Sequence, residues 1–214
     1  MRSLVHRAVA DRPPTTCMVC LPGAYHAPED FLTAGFHTRA TQRAIPLDLV
    51  FVDAELKHLG DRGFRDELQR EVLQPARASG HRSIWLLGIS LGGFMALDYA
   101  ATHPGELAGL CLLAPYLGNR MVTGEIARAS GLRAWQPGEL AEFDEERRIW
   151  RFIQGQPADS RWIHLGFGRD DRFADALRLM AEALPESAVN EVPGGHDWAT
   201  WTVLWENFLD LRFA

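Results

Sequence analysis

The sequence predicts an α/β protein, a three-layer α/β/α sandwich around a mostly parallel sheet of six or seven strands. Short apolar runs alternate with longer amphipathic stretches along the chain. Several runs are almost continuously hydrophobic, which is typical of strands buried on both faces by helices. Such alternation favours right-handed crossovers between parallel strands. The 214 residues suit one large domain or two small ones, and we expect a single domain over 1–214.

Six strands and five helices follow from this alternation. The predicted strands are Thr15–Leu21, Leu47–Asp53, Ser83–Ile89, Leu107–Ala114, Arg161–Gly166 and Ala188–Val192. The predicted helices are Pro28–Arg39, Arg62–Ser79, Leu91–Thr102, Phe173–Leu184 and Thr200–Leu211. Local signals support these helices, because Pro28 suits a first helical position and Gly80 suits a helix end.

Segment 116–160 interrupts the alternation. It is rich in glycine and proline, contains no predicted strand, and has one helical piece near Leu140–Ile153. Long inserts of this kind inside a compact domain usually serve a function. We therefore expect a small cap over the functional site, with a surface elaboration that plays no catalytic part as the alternative.

A G-x-S-x-G motif over residues 88–92 joins the third predicted strand to the helix that follows it. A sharp strand–helix turn strains the central residue and exposes the hydroxyl of Ser90 at the end of the strand. The helix N-terminus favours negative charge there, so the N–H of Leu91 is a candidate oxyanion donor. The alternative is a glycine- and serine-rich turn with a packing role only. A G-x-G-x-x-G phosphate loop is disfavoured, since Ser90 occupies the place of the middle glycine.

A serine hydroxyl needs a base, and the base needs an orienting acid. His196 follows two glycines after the last predicted strand, which favours it over the other seven histidines. In the chain order Ser–Asp–His, the acid comes from Asp170 or Asp171, after the fifth strand. We expect one of these to face His196 and the other to cap the next helix. Asp171 is preferred because it lies three residues after Gly168.

The loop after the first predicted strand has the sequence Leu-Pro-Gly-Ala-Tyr-His over residues 21–26. Its glycine allows a second backbone N–H to face an oxyanion, and we assign this donor to Ala24, with Tyr25 as the fallback. The alternative is a plain β–α turn that only borders the site. Side chains expected to line a substrate pocket are Tyr25, His26 and Tyr116.

Composition excludes several other classes of function. The net charge of −6 argues against a nucleic-acid partner. The sequence has no run of 18 apolar residues that predicts a membrane span, and its first 14 residues lack a secretory core, so we expect a cytoplasmic protein. Cys17 and Cys20 form a C-x-x-C inside a predicted strand, where they point to opposite faces. We interpret them, with no metal expected, as buried small hydrophobes rather than a redox pair or half a zinc site.

Together the LPGAY loop, the GISLGG turn, the FGRDD segment and the GGHDW element resemble the α/β-hydrolase superfamily over about residues 15–211. Within it, the chain looks like small bacterial serine esterases and thioesterases of the lysophospholipase or carboxylesterase type. This resemblance implies no cofactor and an acyl-enzyme route on Ser90, Asp171 and His196, with Leu91 and Ala24 as oxyanion donors. The chain departs from the family in having Leu-Pro-Gly where many members have His-Gly. Its N-terminus is also too short for the antiparallel strands that open the full fold.

The sequence thus predicts a serine hydrolase that cleaves a carboxylic ester or thioester of a small-molecule acyl substrate. The same triad can serve C–C hydrolysis or cofactor-free haloperoxidation, because fold and triad do not fix a reaction. A non-catalytic binding module that uses the hydrolase pocket is the alternative from another class. No sequence feature indicates an oligomeric state.

Overall fold

A seven-stranded sheet with helices on both faces forms the fold in the computed structural model, which describes residues 1–7, 14–54, 62–157, 160 and 162–213. The strands in chain order are β1 (Ser3–His6), β2 (Thr16–Leu21), β3 (Leu47–Val52), β4 (Ser83–Ile89), β5 (Gly109–Leu113), β6 (Ile163–Gly168) and β7 (Val189–Val192). Their spatial order is β1-β3-β2-β4-β5-β6-β7. Every neighbouring pair is parallel except β1 with β3. The predicted three-layer architecture is therefore confirmed.

Strand β1 is absent from the predicted set. It pairs antiparallel with β3, with Ser3 opposite Val52 and His6 opposite Leu49. Its residues alternate between exposed and half-buried, as expected for an edge strand with one face toward the protein. The sheet has seven strands, within the six or seven expected, and the N-terminus supplies one short antiparallel strand rather than the set that opens the full fold.

Nine helices lie within the described residues: α1 (Pro28–Thr33), α2 (Phe36–Gln42), α3 (Arg62–Leu68), α4 (Gln74–Ala78), α5 (Leu91–Thr102), α6 (Arg120–Arg128), α7 (Glu145–Gln154), α8 (Ala174–Ala181) and α9 (Trp198–Phe213). The single helix predicted over Pro28–Arg39 is two helices, since Gly35 adopts φ +74° between them. A π-helical turn, Gln69–Leu73, joins α3 to α4 just before Pro75. Proline lacks the N–H that regular helical bonding needs, which accounts for the irregular turn.

The core lies on both faces of the central strands. Every residue of β5 and β6 is buried, as the continuous hydrophobic runs predict. On α9, the side chains of Trp201 and Trp205 are buried, and the indole of Trp205 stacks on Phe36 of α2 at 5.4 Å between ring centroids. These contacts fix the last helix, which directly follows His196, against the sheet.

Segment 116–160 contains α6, a short 3₁₀ turn at Leu132–Ala134, and α7. The predicted helical piece near Leu140–Ile153 begins only at Glu145, because the Asp144 carboxylate accepts the N–H of Arg147 at 3.0 Å and caps the helix there. Helix α7 packs against α5, which follows Ser90. The indole N–H of buried Trp150 also donates to the carbonyl of Leu117 at 2.9 Å. The insert is therefore anchored beside the G-x-S-x-G turn.

None of the helices described is long and apolar enough to cross a bilayer.

Candidate active site

Ser90 lies at the sharp turn between β4, which ends at Ile89, and α5, which begins at Leu91. Its backbone adopts φ +50° and ψ −112°, a left-handed conformation that is strained for a residue with a side chain. Two hydrogen bonds hold it there. The N–H of Ser90 donates to the carbonyl of Leu113 at 3.1 Å, and its carbonyl accepts the N–H of Tyr116 at 2.8 Å.

The glycines of the motif are required by close backbone contacts. A Cβ atom on Gly92 would lie 2.1 Å from the carbonyl oxygen of Leu21, and one on Gly88 would lie 2.4 Å from the carbonyl oxygen of Gly92. A Cβ atom on the next glycine, Gly93, would lie 2.5 Å from the Cβ of Pro115. The turn can thus approach its neighbours only because these side chains are absent.

His196 and Asp171 converge on Ser90 from two neighbouring loops. Nε2 of His196 lies 2.9 Å from Oγ of Ser90, and Nδ1 of the same ring lies 2.7 Å from Oδ2 of Asp171. The Asp171 side chain is fully buried and that of His196 is 9% exposed. The structure therefore brings the three predicted residues into one hydrogen-bonded chain at the carboxyl edge of the sheet.

Asp171 both faces His196 and binds the turn that leads into α8. Its Oδ2 faces His196, and its Oδ1 accepts the N–H of Phe173 at 2.8 Å. Asp170 is exposed, and α8 begins without a side-chain cap. The expectation that the second aspartate caps this helix is wrong, because Asp171 already binds the free N–H of the turn.

The backbones of the two loops are joined as well. The N–H of Asp170 donates to the carbonyl of Gly194 at 2.9 Å, and the N–H of Arg169 donates to the carbonyl of Val192 at 2.7 Å. A Cβ on Gly168 would lie only 2.3 Å from the carbonyl oxygen of Gly194. The loops that carry Asp171 and His196 are thus held in direct contact.

Two aromatic rings support the imidazole. The rings of Phe173 and Trp201 each meet His196 edge-on, with centroids 5.1 Å away. Sequence reasoning assigned neither Phe173 nor Trp201 to the site. Their closeness in sequence to the predicted site residues could have indicated this position, since Phe173 lies two residues after Asp171 and Trp201 lies five residues after His196.

The loop between β2 and α1 borders the serine. A Cβ on Gly23 would lie 3.4 Å from Cβ of Ser90, so the loop backbone passes directly beside the nucleophile position. Ala24 is half-buried there. Leu91 is the first residue of α5, and its N–H has no partner within the helix. The predicted oxyanion donors therefore lie in segments next to Ser90.

The three predicted pocket residues differ in position. Tyr25 adopts φ +65°, which turns its side chain into solvent with 93% exposed, so the expectation that it lines a pocket is not met. The imidazole of His26 packs on Trp198 and Trp201, with ring centroids 5.2 and 5.8 Å away. Its Nδ1 is buried and has no hydrogen-bond partner among the described residues.

Tyr116, whose backbone contacts Ser90, lines two cavities. Its backbone bonds to Ser90, and its ring lies between those of Phe94, at 6.0 Å, and Phe173, at 5.6 Å. The α7-side cavity measures about 500 Å³, and its wall includes Phe94, Tyr116, Met121, Val122, Ala141 and Phe143. The α8-side cavity measures about 700 Å³, and its wall includes Tyr116, Arg120, Thr123, Arg172, Phe173 and Leu179. Both are large enough for part of a small substrate.

No group of three or more metal-binding side chains occurs in the part of the chain that the structure describes. Cys17, Cys20 and Cys111 are all buried as free thiols. Burial raises the pKa of Cys17 to about 12, and raises those of the other two well above the usual value. The C-x-x-C pair therefore lies in the core, as its interpretation as small hydrophobes requires.

Comparison with protein families gives a match to the family described as "Putative esterase" over residues 43–207. This is more than half of the chain, and it includes Ser90, Asp171 and His196. No curated protein sequence matches the chain.

Solved structures of hydrolases share the fold. The chain superposes on FphF, a fluorophosphonate-binding serine hydrolase of Staphylococcus aureus, with a TM-score of 0.64 and 15% identity, over 94% of this chain and 84% of FphF. The superposition on Est1E from Butyrivibrio proteoclasticus has a TM-score of 0.64 and 14% identity, and it covers 98% of this chain and 93% of Est1E. The superposition on an S-formylglutathione hydrolase from Agrobacterium tumefaciens has a TM-score of 0.60 and 16% identity, and it covers 97% of this chain and 87% of the hydrolase.

These structural likenesses establish the architecture, while the family match covers the segments that carry Ser90, Asp171 and His196. The chain is therefore a member of the putative esterase family, an esterase-type serine hydrolase with the α/β-hydrolase fold.

Proposed function

We propose that Ser90, His196 and Asp171 form a catalytic triad that hydrolyses a carboxylic ester or thioester of a small-molecule acyl substrate. The observation that carries this proposal is the 2.9 Å contact between Nε2 of His196 and Oγ of Ser90. At this distance the imidazole can accept the hydroxyl proton as the oxygen attacks an acyl carbonyl. Buried Asp171 then stabilises the imidazolium and keeps the ring in the required tautomer.

The oxyanion of the tetrahedral intermediate is assigned to the N–H groups of Leu91 and Ala24, with Tyr25 as the fallback for Ala24. Support comes from the position of both segments beside Ser90. Each such donor typically lowers the barrier by about 3–4 kcal/mol. No cofactor enters this scheme.

Collapse of the intermediate breaks the bond between the acyl carbon and the leaving group. His196 passes the proton it accepted to the leaving alcohol or thiol, which departs and leaves an ester on Ser90. Water then attacks this acyl-enzyme, again with His196 as the base. The products are a carboxylic acid and free Ser90.

Both ester and thioester substrates are consistent with the named neighbours. The neighbour from Agrobacterium tumefaciens is an S-formylglutathione hydrolase, whose substrate is a thioester, and two further structures that share the fold are a second S-formylglutathione hydrolase and a ferulic acid esterase. We propose that segment 116–160 acts as a cap that forms part of the substrate site, since its residues line both cavities beside Tyr116. A cytoplasmic location and the exclusion of nucleic acid stay predictions from the sequence.

Replacing the nucleophile tests the proposal. Ser90→Ala should lower turnover of p-nitrophenyl esters and acyl-CoA thioesters by about 10⁴-fold or more, and should remove labelling by a fluorophosphonate probe. The melting temperature should stay close to that of the wild type, because Ser90 contributes little to the core. Esterase activity that persists in this variant would refute the assignment. Wild-type protein that binds acyl compounds without turnover or labelling would support a binding module instead.

A further inference from the structure

The two cavities beside Tyr116 carry opposite charge. The α7-side cavity is lined by three acidic residues, Asp144, Glu145 and Glu146, and by one basic residue, Arg147, so acidic groups outnumber basic ones there. The α8-side cavity is lined by Arg120, from the start of α6, and by Arg172, which follows the proposed triad acid. Its one acidic lining residue, Asp175, is fully exposed and faces Arg178 at 3.5 Å.

Arg120 and Arg172 have no acidic partner among the described residues, in contrast to Arg147 and Arg148 of α7. On α7, Arg147 pairs with Glu125 and Asp144, and Arg148 pairs with Asp98. Neither Arg120 nor Arg172 lies within 4 Å of a carboxylate in the described part of the chain. Their charges are therefore available to a bound molecule.

Arg172 lies close to the proposed catalytic base. Its guanidinium carbon lies 4.9 Å from the centre of the Phe173 ring, which in turn contacts the imidazole of His196. A single aromatic ring thus separates this positive charge from the triad. A group bound by the arginine would belong to a molecule that extends past Phe173 toward Ser90.

We propose that the α8-side cavity binds an anionic group of the substrate, a carboxylate or phosphate, through Arg120 and Arg172. This inference rests on the proposed esterase function and specifies its substrate class as acidic esters or thioesters. Guanidinium groups suit this role because their planar donors match the oxygen pairs of carboxylate and phosphate. The acidic residues of the α7-side cavity would repel the same group, so the two cavities together set the orientation of the substrate.

Paired esters test this proposal. On the acyl side, mono-p-nitrophenyl glutarate is compared with neutral p-nitrophenyl pentanoate. On the leaving-group side, 4-acetoxybenzoate is compared with p-tolyl acetate. Each ester is measured with the wild type, Arg172→Gln, the double variant Arg120→Gln/Arg172→Gln, and the control Arg133→Gln. Arg133 is an exposed arginine of the same insert that lines a different cavity, so its loss changes the net charge by the same amount as Arg172→Gln.

The double variant should raise KM for one anionic ester by about 3- to 10-fold, because exposed ion pairs are individually weak. Its neutral partner should change less than about 2-fold, and 0.5 M salt should largely remove the difference through screening. Whether the glutarate or the benzoate responds identifies the part of the substrate that occupies the cavity. The Arg133→Gln control should match the wild type on all four esters.

Equal changes for anionic and neutral esters, or changes equal to those of Arg133→Gln, would overturn the inference while leaving the esterase function intact. A wild-type enzyme that hydrolyses none of the four esters in a Ser90-dependent reaction would instead contradict the proposed function itself, and the inference with it.

Discussion

Oδ2 of Asp171 lies 2.7 Å from Nδ1 of His196 in a position fully shielded from solvent. In the proposed triad, a carboxylate held this way fixes the ring so that Nε2 is free to accept the Ser90 proton. Asp171→Asn places an amide against Nδ1 and favours the wrong tautomer. We expect kcat for p-nitrophenyl acetate to fall by about 10⁴-fold, with little change in KM.

The matched control is Asp170→Asn, which makes the same chemical change one residue earlier on an exposed side chain. This variant should keep kcat within about 2-fold of the wild type, because surface substitutions usually have small effects. Circular dichroism of both variants shows whether the fold is retained. A larger loss in Asp170→Asn than in Asp171→Asn would reverse the assignment of the acid.

Gly92 and Gly124 both lie in helices, but alanine should affect them in opposite ways. A Cβ on Gly92 would overlap the Leu21 carbonyl oxygen at 2.1 Å, whereas the nearest atom to a Cβ on Gly124 is a guanidinium nitrogen of Arg128 at 3.4 Å. We expect Gly92→Ala to lower the free energy of unfolding by about 3 kcal/mol or more. Gly124→Ala should raise it by about 0.5–1 kcal/mol. Urea unfolding measures the free energy of unfolding of each variant. Equal changes in the two variants would contradict the close contact between Gly92 and the Leu21 carbonyl.

His164 should make the stability of the protein depend on pH. It is buried in β6, and burial, assisted by the charge of Arg212, lowers the pKa of its imidazole to about 4. The unfolded chain has the usual value near 6.5 and so takes up a proton first as the pH falls. This contribution is fully present above pH 6.5 and is lost between about pH 6.5 and 4.

The loss between pH 7 and 5 should be about 2 kcal/mol in the free energy of unfolding. His164→Leu removes the titrating group and should lose less stability over the same interval. Urea unfolding at both pH values measures the difference between the two proteins. Equal pH dependence in the two proteins would show that His164 is protonated at the same pH in the folded and unfolded chains.

The three thiols should be inert in the folded protein. Their burial and raised pKa values leave almost no thiolate, which is the reactive form. Ellman's reagent at pH 8 should therefore detect no thiol in the native state and all three after denaturation. Rapid release of the coloured product when the reagent is added to the native protein would show that the core opens around β2 or β5.

The parts of the site that could be predicted from sequence lie at the ends of buried parallel strands. Ser83–Ile89 is assigned as a strand by sequence and structure alike, because a strand covered on both faces is hydrophobic throughout. The glycines around Ser90 and before His196 then locate the turns. A sharp turn can be recognised in a sequence when its backbone geometry admits only glycine.

Features that depend on distant contacts were missed. Strand β1 has only four residues and forms because β3 offers it an edge. Helix α6 was missed for a different reason, since it carries many polar residues and its only local signal is the Asn119 side chain, which accepts the N–H of Met121 at 2.8 Å. The roles of Asp170 and Asp171 are set by the neighbouring loop at Gly194. None of these choices can be read from periodicity alone.

The contact between the loops at Gly168 and Gly194 has a consequence for how the enzyme can fail. Because the backbones touch directly, the proposed acid and base are already aligned in the absence of substrate. A side chain inserted at Gly168 would push the loops apart and separate carboxylate from imidazole, although neither group had changed. Inactive natural variants of this enzyme can therefore carry an intact set of reacting side chains.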